Sequence, residues 1–211
     1  MNLTGKIRKV VQVLSGGDNE VTLDPYGGIA ISSLLPKYAQ LNAAGKIFAF
    51  DMSGGTAIAP TVAIPTTTPS WAIYNANPGG GPTIFLLWAG ISSESGTLGL
   101  GLALMGAVAI GPQTAASSSY SGTIINCLDG SQKKANAYLV NDVALLGGAP
   151  AWVTLVARDQ VSAISVGSGL AVEVGGLLSC LPGGKLCFDV VAPVGTTALF
   201  DVNLIIAEVQ M

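Results

Sequence analysis

Residues 83–112, TIFLLWAGISSESGTLGLGLALMGAVAIGP, narrow the fold more than any other part of this chain. They are two apolar runs joined by a small polar turn. In the second run, residues 98–104, leucines alternate with Gly99, Gly101 and Ala103, so large side chains fall on one face of a period-two element. Glycine costs roughly 1 kcal/mol in a helix interior, which makes the run poor helix material. In a strand the small face lets another backbone or sheet come close. The first run, residues 84–91, is apolar on both faces and carries Phe85 and Trp88, which suits a central strand. Ser92, Ser93, Glu94, Ser95 and Gly96 supply turn chemistry between the runs. The stretch is therefore predicted to be a long buried β-hairpin.

A transmembrane helix is the rival reading, because residues 95–112 carry no charge, a length near the lower limit for a span. Glycines within the run, polar Ser95 and Thr97, and the lack of a flanking Lys/Arg cluster count against it. No transmembrane segment is predicted.

Charge is the next constraint. The chain has 9 Lys/Arg and 12 Asp/Glu, so only 10% of it is charged, while 50% is hydrophobic. An ordinary domain of this length carries about 25% charged residues, which leaves this one short by about 30 charges. Charges normally keep a folded monomer soluble. Their scarcity implies a surface covered by copies of the chain, by another partner or by lipid. The net charge of −3 is spread without a basic block, so no specific nucleic-acid binding is expected.

The chain contains no histidine, which removes Ser-His-Asp and Cys-His catalysis and histidine zinc sites together. Carboxylates come singly, and Asp129 within LDGSQ has no second acidic neighbour to hold calcium. Arg158 and Asp159 fall at a predicted turn, as a local pair or a solvated corner. The NPGGGP loop, residues 77–82, lacks the Gly-Lys-Ser/Thr ending of a phosphate cradle. Trp71, Trp88 and Trp152 each sit in an apolar strand and are assigned to core rather than to a sugar platform. No catalytic, cofactor-binding or metal-binding residue is assigned, and the chain is not expected to be an enzyme. Among Cys127, Cys180 and Cys187, the last two flank a loop that a cross-strand disulfide would close. Small buried hydrophobes are the favoured reading of all three.

Taken in order, residues 6–14 alternate as a strand, and residues 20–23 are placed to pair back. Residues 32–45 are the one helical candidate, with Ser33 as cap, Pro36 early and Gly45 as stop. Residues 46–51 read as a strand, 52–69 as a proline-punctuated extended segment, and 70–75 as another strand. After residue 112, strands are predicted at 123–128, 136–141, 152–157, 163–166, 170–174, 177–180, 185–191 and 199–209. Turns rich in Gly and Pro separate them, including one at Gly175-Gly176. Short strands at this spacing make an all-β antiparallel β-sandwich or barrel. The domain reading is residues 1–45 as an N-terminal arm with a strand and short helix, and residues 46–211 as one sandwich. The basic start is followed by too short an apolar run for a signal peptide.

The closing stretch, residues 182–211, PGGKLCFDVVAPVGTTALFDVNLIIAEVQM, resembles the end of phage-type viral jelly-roll virion proteins. A Pro-Gly loop leads into a strand, then a Gly-Thr-Thr turn and a last long strand ending Ala-Glu-Val. The resemblance implies a jelly roll of two four-stranded sheets, used as a shell, decoration or fibre subunit. It also implies localisation in the virion, homo-oligomers of trimer size or larger, contacts with other virion proteins, and an arm that crosses to a neighbour. Self-assembly through strand edges is the expected function. The alternative is a trimeric receptor- or glycan-binding head.

Overall fold

The last strand shows best why this sequence makes sheets. In β13, Leu199–Val209, the residues Phe200, Val202, Leu204 and Ile206 alternate onto one buried face. It hydrogen-bonds antiparallel to two neighbours, β3 (Ile47–Asp51) and β5 (Thr83–Ser95). In the computed structural model the described residues are 22–23, 29–30, 38–51, 57–97, 101–110, 119–120, 123–130, 137–141, 150–159, 169–192 and 197–211. The chain divides into two compact units, Met1–Gln40 and Leu41–Met211.

In the first unit, β1 (Thr22–Leu23) pairs antiparallel with β2 (Ile29–Ala30). The expected pairing of residues 20–23 back on residues 6–14 falls outside the described residues. The first strand, Ser33 and Pro36 lie outside the described residues. Helix α1, Ala39–Ala43, falls within the predicted 32–45, of which residues 32–37 lie outside the described residues, and Gly45 with φ +65° follows it as the expected stop.

The second unit is an all-β sandwich of two antiparallel sheets. One runs β11-β5-β13-β3-β8, with β11 at Gly169–Cys180 and β8 at Thr123–Asn126. The other runs β10-β6-β12-β4-β9-β7. Its strands are β10 Val153–Arg158, β6 Leu102–Ile110, β12 Gly184–Val191, β4 Trp71–Asn75, β9 Ala137–Asn141 and β7 Ser119–Tyr120. Eight strands pair as nested partners: β3 with β13, β4 with β12, β5 with β11 and β6 with β10. The chain thus runs out along four strands and returns along four, wound so that successive partners alternate between sheets. The return closes at β6 and β10, and β7, β8 and β9 are inserted there. They extend both sheets beyond β3 and β4, giving sheets of five and six strands rather than four each.

The inner faces meet in one core. Phe48, Phe50, Leu86, Phe200 and Leu204 come from one sheet, and Trp71, Leu104, Leu186 and Phe188 from the other. Burying such side chains stabilises by about 1.5–3 kcal/mol each, the dominant favourable term in a fold of this kind.

Two expectations are corrected. Residues 83–112 do not form a hairpin, because β5 and β6 belong to different sheets. Each is apolar on both faces and finds its own central place, β5 between β13 and β11, β6 between β12 and β10. The chain between them turns from one sheet to the other, with Gly96 and Gly101 both at φ +79°. Gly175-Gly176 is likewise not a turn between two strands. Both lie inside β11 with φ +65° and +87°, where extra residues loop out between Glu173, opposite Trp88, and Leu178, opposite Leu86.

Candidate functional site

Strand β12 carries the chemistry because it is buried on both faces. Its sequence, GKLCFDVV, sends Leu186, Phe188 and Val190 into the core and Lys185, Cys187 and Asp189 to the opposite side. An outward face of a sandwich ordinarily meets water, yet Lys185 is 1% exposed and Asp189 0%. Small side chains flank them: Cys187 lies between Ala72 on β4 and Ala107 on β6, and Trp152 packs against this layer. Burial alone pushes the Cys187 thiol up to about 12, against the weaker opposing pull of Lys185. The Cys180 thiol is also pushed up to about 12, by burial first and the Cys187 charge second. Such thiols are poor nucleophiles. Lys185 is held below the ordinary lysine range by its own desolvation.

Asp189 is held at the strap that joins β3 to β4. Ile58 and Phe200 exchange backbone hydrogen bonds of 3.0 and 2.9 Å, tying the strap to β13. Thr61 then forms a parallel bridge with Val191, its N–H donating to the Val190 carbonyl and its own carbonyl accepting from Ala192 N–H, both at 2.8 Å. The Thr61 hydroxyl donates to Asp189 Oδ1 at 3.1 Å, and Ser70 N–H donates to Asp189 Oδ2 at 3.3 Å. Burial pushes the Asp189 carboxyl up to about 6, although the bonds from Thr61 and Ser70 act the other way. Just past β5, Gly96 is pressed against the backbone of Thr197 and Ala198, and the Thr197 hydroxyl donates to the Thr97 carbonyl at 2.8 Å.

A second polar cluster is centred on Asn75, at the end of β4 that leads into residues 76–82. Its Nδ2 donates to the carbonyls of Pro82 and Cys180, each at 3.0 Å. Its Oδ1 accepts from Asn77 N–H at 3.1 Å and Asn77 Nδ2 at 2.9 Å, and its carbonyl accepts from Gly183 N–H at 2.8 Å. Asn77 Nδ2 also donates to Glu208 Oε1 at 3.3 Å, and Gln210 Nε2 to the Gly80 carbonyl at 2.8 Å. The NPGGGP loop is thereby fastened to the β11–β12 turn and to the end of β13.

The tryptophans divide. Trp71 is fully buried in the core, while Trp88 and Trp152 are half-buried on outer faces, Trp88 over Gly90. Cys180 faces the core and Cys187 the other side of the six-stranded sheet, so no disulfide joins the pair, and Cys127 is a free thiol as well. Cys127 is exposed, as are Arg158 and Asp159. Among the described residues no group of three His, Cys, Asp or Glu side chains comes together, and no helix is long and apolar enough to cross a membrane. Large apolar side chains are left in solvent instead. Ile110 is 85% and Leu177 89% exposed, with Val62, Ile64, Val153 and Leu181 also exposed.

The sequence reading assigned no site residue and missed both Asp189 and Asn75. The alternation in KLCFDV was visible, but an outward Lys and Asp on a strand read as solvated. That this outer face is closed follows only from the packing around it.

No protein-family model matches the chain, and no curated protein matches it. Among solved structures, the infectious bursal disease virus VP2 subviral particle is similar at 12% identity and a TM-score of 0.18. That match covers 92% of this chain and 46% of the VP2 chain, so this chain spans less than half of that protein's length. A likeness of this size carries neither fold nor role across.

Proposed function

We propose that the chain is a non-enzymatic virion structural protein, a capsid or decoration subunit that assembles with copies of itself. The observation that carries this reading is the pairing of a charge-poor sequence with large apolar side chains left in solvent. Only 10% of the chain is charged, while Ile110, Leu177 and Leu181 remain exposed. Exposed apolar side chains in such a surface are more stable against a second protein surface than against water.

The nested pairing of β3 to β6 with β10 to β13 supports a jelly roll, two Greek keys wound into a sandwich, as the fold of this subunit. At the described edges, β10 and β11 both carry irregular register, which turns an edge away from flat pairing. Subunits then meet through the side chains these edges project, Val153 and Leu177 among them. Residues 1–45 act as the exchanged arm. A role without catalysis is supported by the absence of histidine and by the burial of Lys185, Cys187 and Asp189.

Mass photometry and negative-stain imaging of the detergent-free protein test the proposal. Rings, shells or filaments at low micromolar concentration are the expected result. Ile110→Lys together with Leu177→Lys shifts the population toward monomer while the circular dichroism spectrum is retained. A wild-type protein that stays monomeric overturns the proposal. Discrete trimers that bind glycans in a screen establish the receptor-binding head instead.

A further inference from the structure

The strap between β3 and β4 leaves the sheet at Thr61 and rejoins it at Ser70. One carboxyl group holds both points, Oδ1 taking the Thr61 hydroxyl and Oδ2 the Ser70 N–H. Between them the chain bows outward and exposes Val62 and Ile64. A compact surface loop of this length with its ends drawn together is an Ω-loop, a class often used for function. Its ends here are gathered by a fully buried acid, whose two oxygens accept at both points, at the cost of a charge to desolvate whenever the group is ionised.

We propose that Asp189 is a protonation-controlled clip, closing the 61–70 loop against the sheet when neutral and loosening it when ionised. The groups around it leave it without compensation. Its partner on β6 is Met105, and the strap offers only hydroxyl and amide donors. On β12 itself the same face carries Cys187, a neutral thiol, and then Lys185, four residues or about 13 Å along the strand. Among the described residues no cation faces the carboxyl closely.

The direction follows from linkage. In the closed state the carboxyl is raised to about 6 by burial, and in an open, hydrated loop it returns toward 3.8. The closed state therefore binds the proton more tightly. Closure is fully favoured below about 3.8 and is lost progressively as pH rises through about 6. Between pH 5 and pH 8 the opening equilibrium rises about tenfold. The clip is independent of the assembly reading, since it acts within one chain.

Hydrogen exchange of the full-length protein at pH 5 to 8, corrected for intrinsic rates, tests it. The amides of Thr61 and Ala192 are expected to open about tenfold more at pH 8, whereas Gly183 N–H, bonded to Asn75, stays constant. Asp189→Asn is expected to flatten the profile at Thr61 and Ala192. A flat wild-type profile, or an unchanged slope in the variant, overturns the proposal. Should the variant fail to fold, carboxyl NMR of the wild type decides. Titration of Asp189 near 6 with loop amides following it supports the clip, and titration below about 4.5 removes it.

Discussion

At one end of the sandwich Asn75 fastens the 76–82 loop, the β11–β12 turn and the last strand through an amide. At the other, Asp189 fastens the 61–70 loop through a carboxyl. Both side chains are fully buried, and each is held by two or more hydrogen bonds. The amide has a donor and an acceptor side and uses both, so its burial is balanced at any pH. A carboxylate only accepts, and among the described residues no close cation offsets its charge. Equal burial therefore produces a fixed joint at one end and a pH-dependent one at the other.

The largest expected effect concerns the close packing at Gly96, just past β5. At Gly96 the backbone has φ +79°, and a Cβ would collide with the Thr197 backbone, which has no flexible end to move aside. Gly96→Ala combines left-handed strain with overpacking, and a loss of about 4 kcal/mol in chemical denaturation is expected. A loss below about 1 kcal/mol would break the claim that Gly96 is pressed against the backbone of Thr197 and Ala198.

Next comes Asn75→Ala, which leaves the Pro82 and Cys180 carbonyls and the Asn77 N–H to find other partners. A destabilisation of about 3 kcal/mol is expected, the same at pH 5 and pH 8. A loss that grows with pH would erase the contrast with Asp189. The pH test on the carboxyl is smaller. Wild-type stability is expected to fall by about 1.4 kcal/mol from pH 5 to pH 8, the equivalent of a tenfold shift, through the group raised to about 6. Asp189→Asn removes that slope, and urea denaturation at the two pH values reads it directly.

Much of the strand set was legible. Residues 199–209 alternate cleanly and end at a turn on one side, and the structure gives β13 those same bounds. Period two, β-branched residues and Gly-Pro punctuation are local, and local signals survive into the fold. The pairing of β5 with β13 and β11 rather than with β6 was not legible. Runs apolar on both faces fit any central position, and the polar Ser92–Gly96 stretch, expected to turn, stays in β5 as far as Ser95. Gly175-Gly176 misled for a related reason: paired glycines mark a reversal or a bulge alike, and only the partner strand decides. The two polar joints were hidden more deeply. Nothing in the composition distinguishes Asn75 and Asp189 from other strand-end polar residues until the loops that close over them are in place.

Gly80→Ala is the smallest expected effect and separates two causes that Gly96→Ala combines. Gly80 has φ +80°, almost the same backbone conformation as Gly96 at +79°. No heavy atom lies within 4 Å of a Cβ built there, because that side of Gly80 faces open space while its carbonyl is held by Gln210. Its substitution therefore measures left-handed strain alone, about 1 kcal/mol. The remainder of the Gly96 effect, about 3 kcal/mol, is then the cost of parting the Thr197 backbone from residue 96. If the two alanine variants cost the same, residue 96 is no more tightly packed than the open loop. If Gly96→Ala costs several times more, the approach of residue 96 to the backbone of Thr197 and Ala198 is a close and unyielding one.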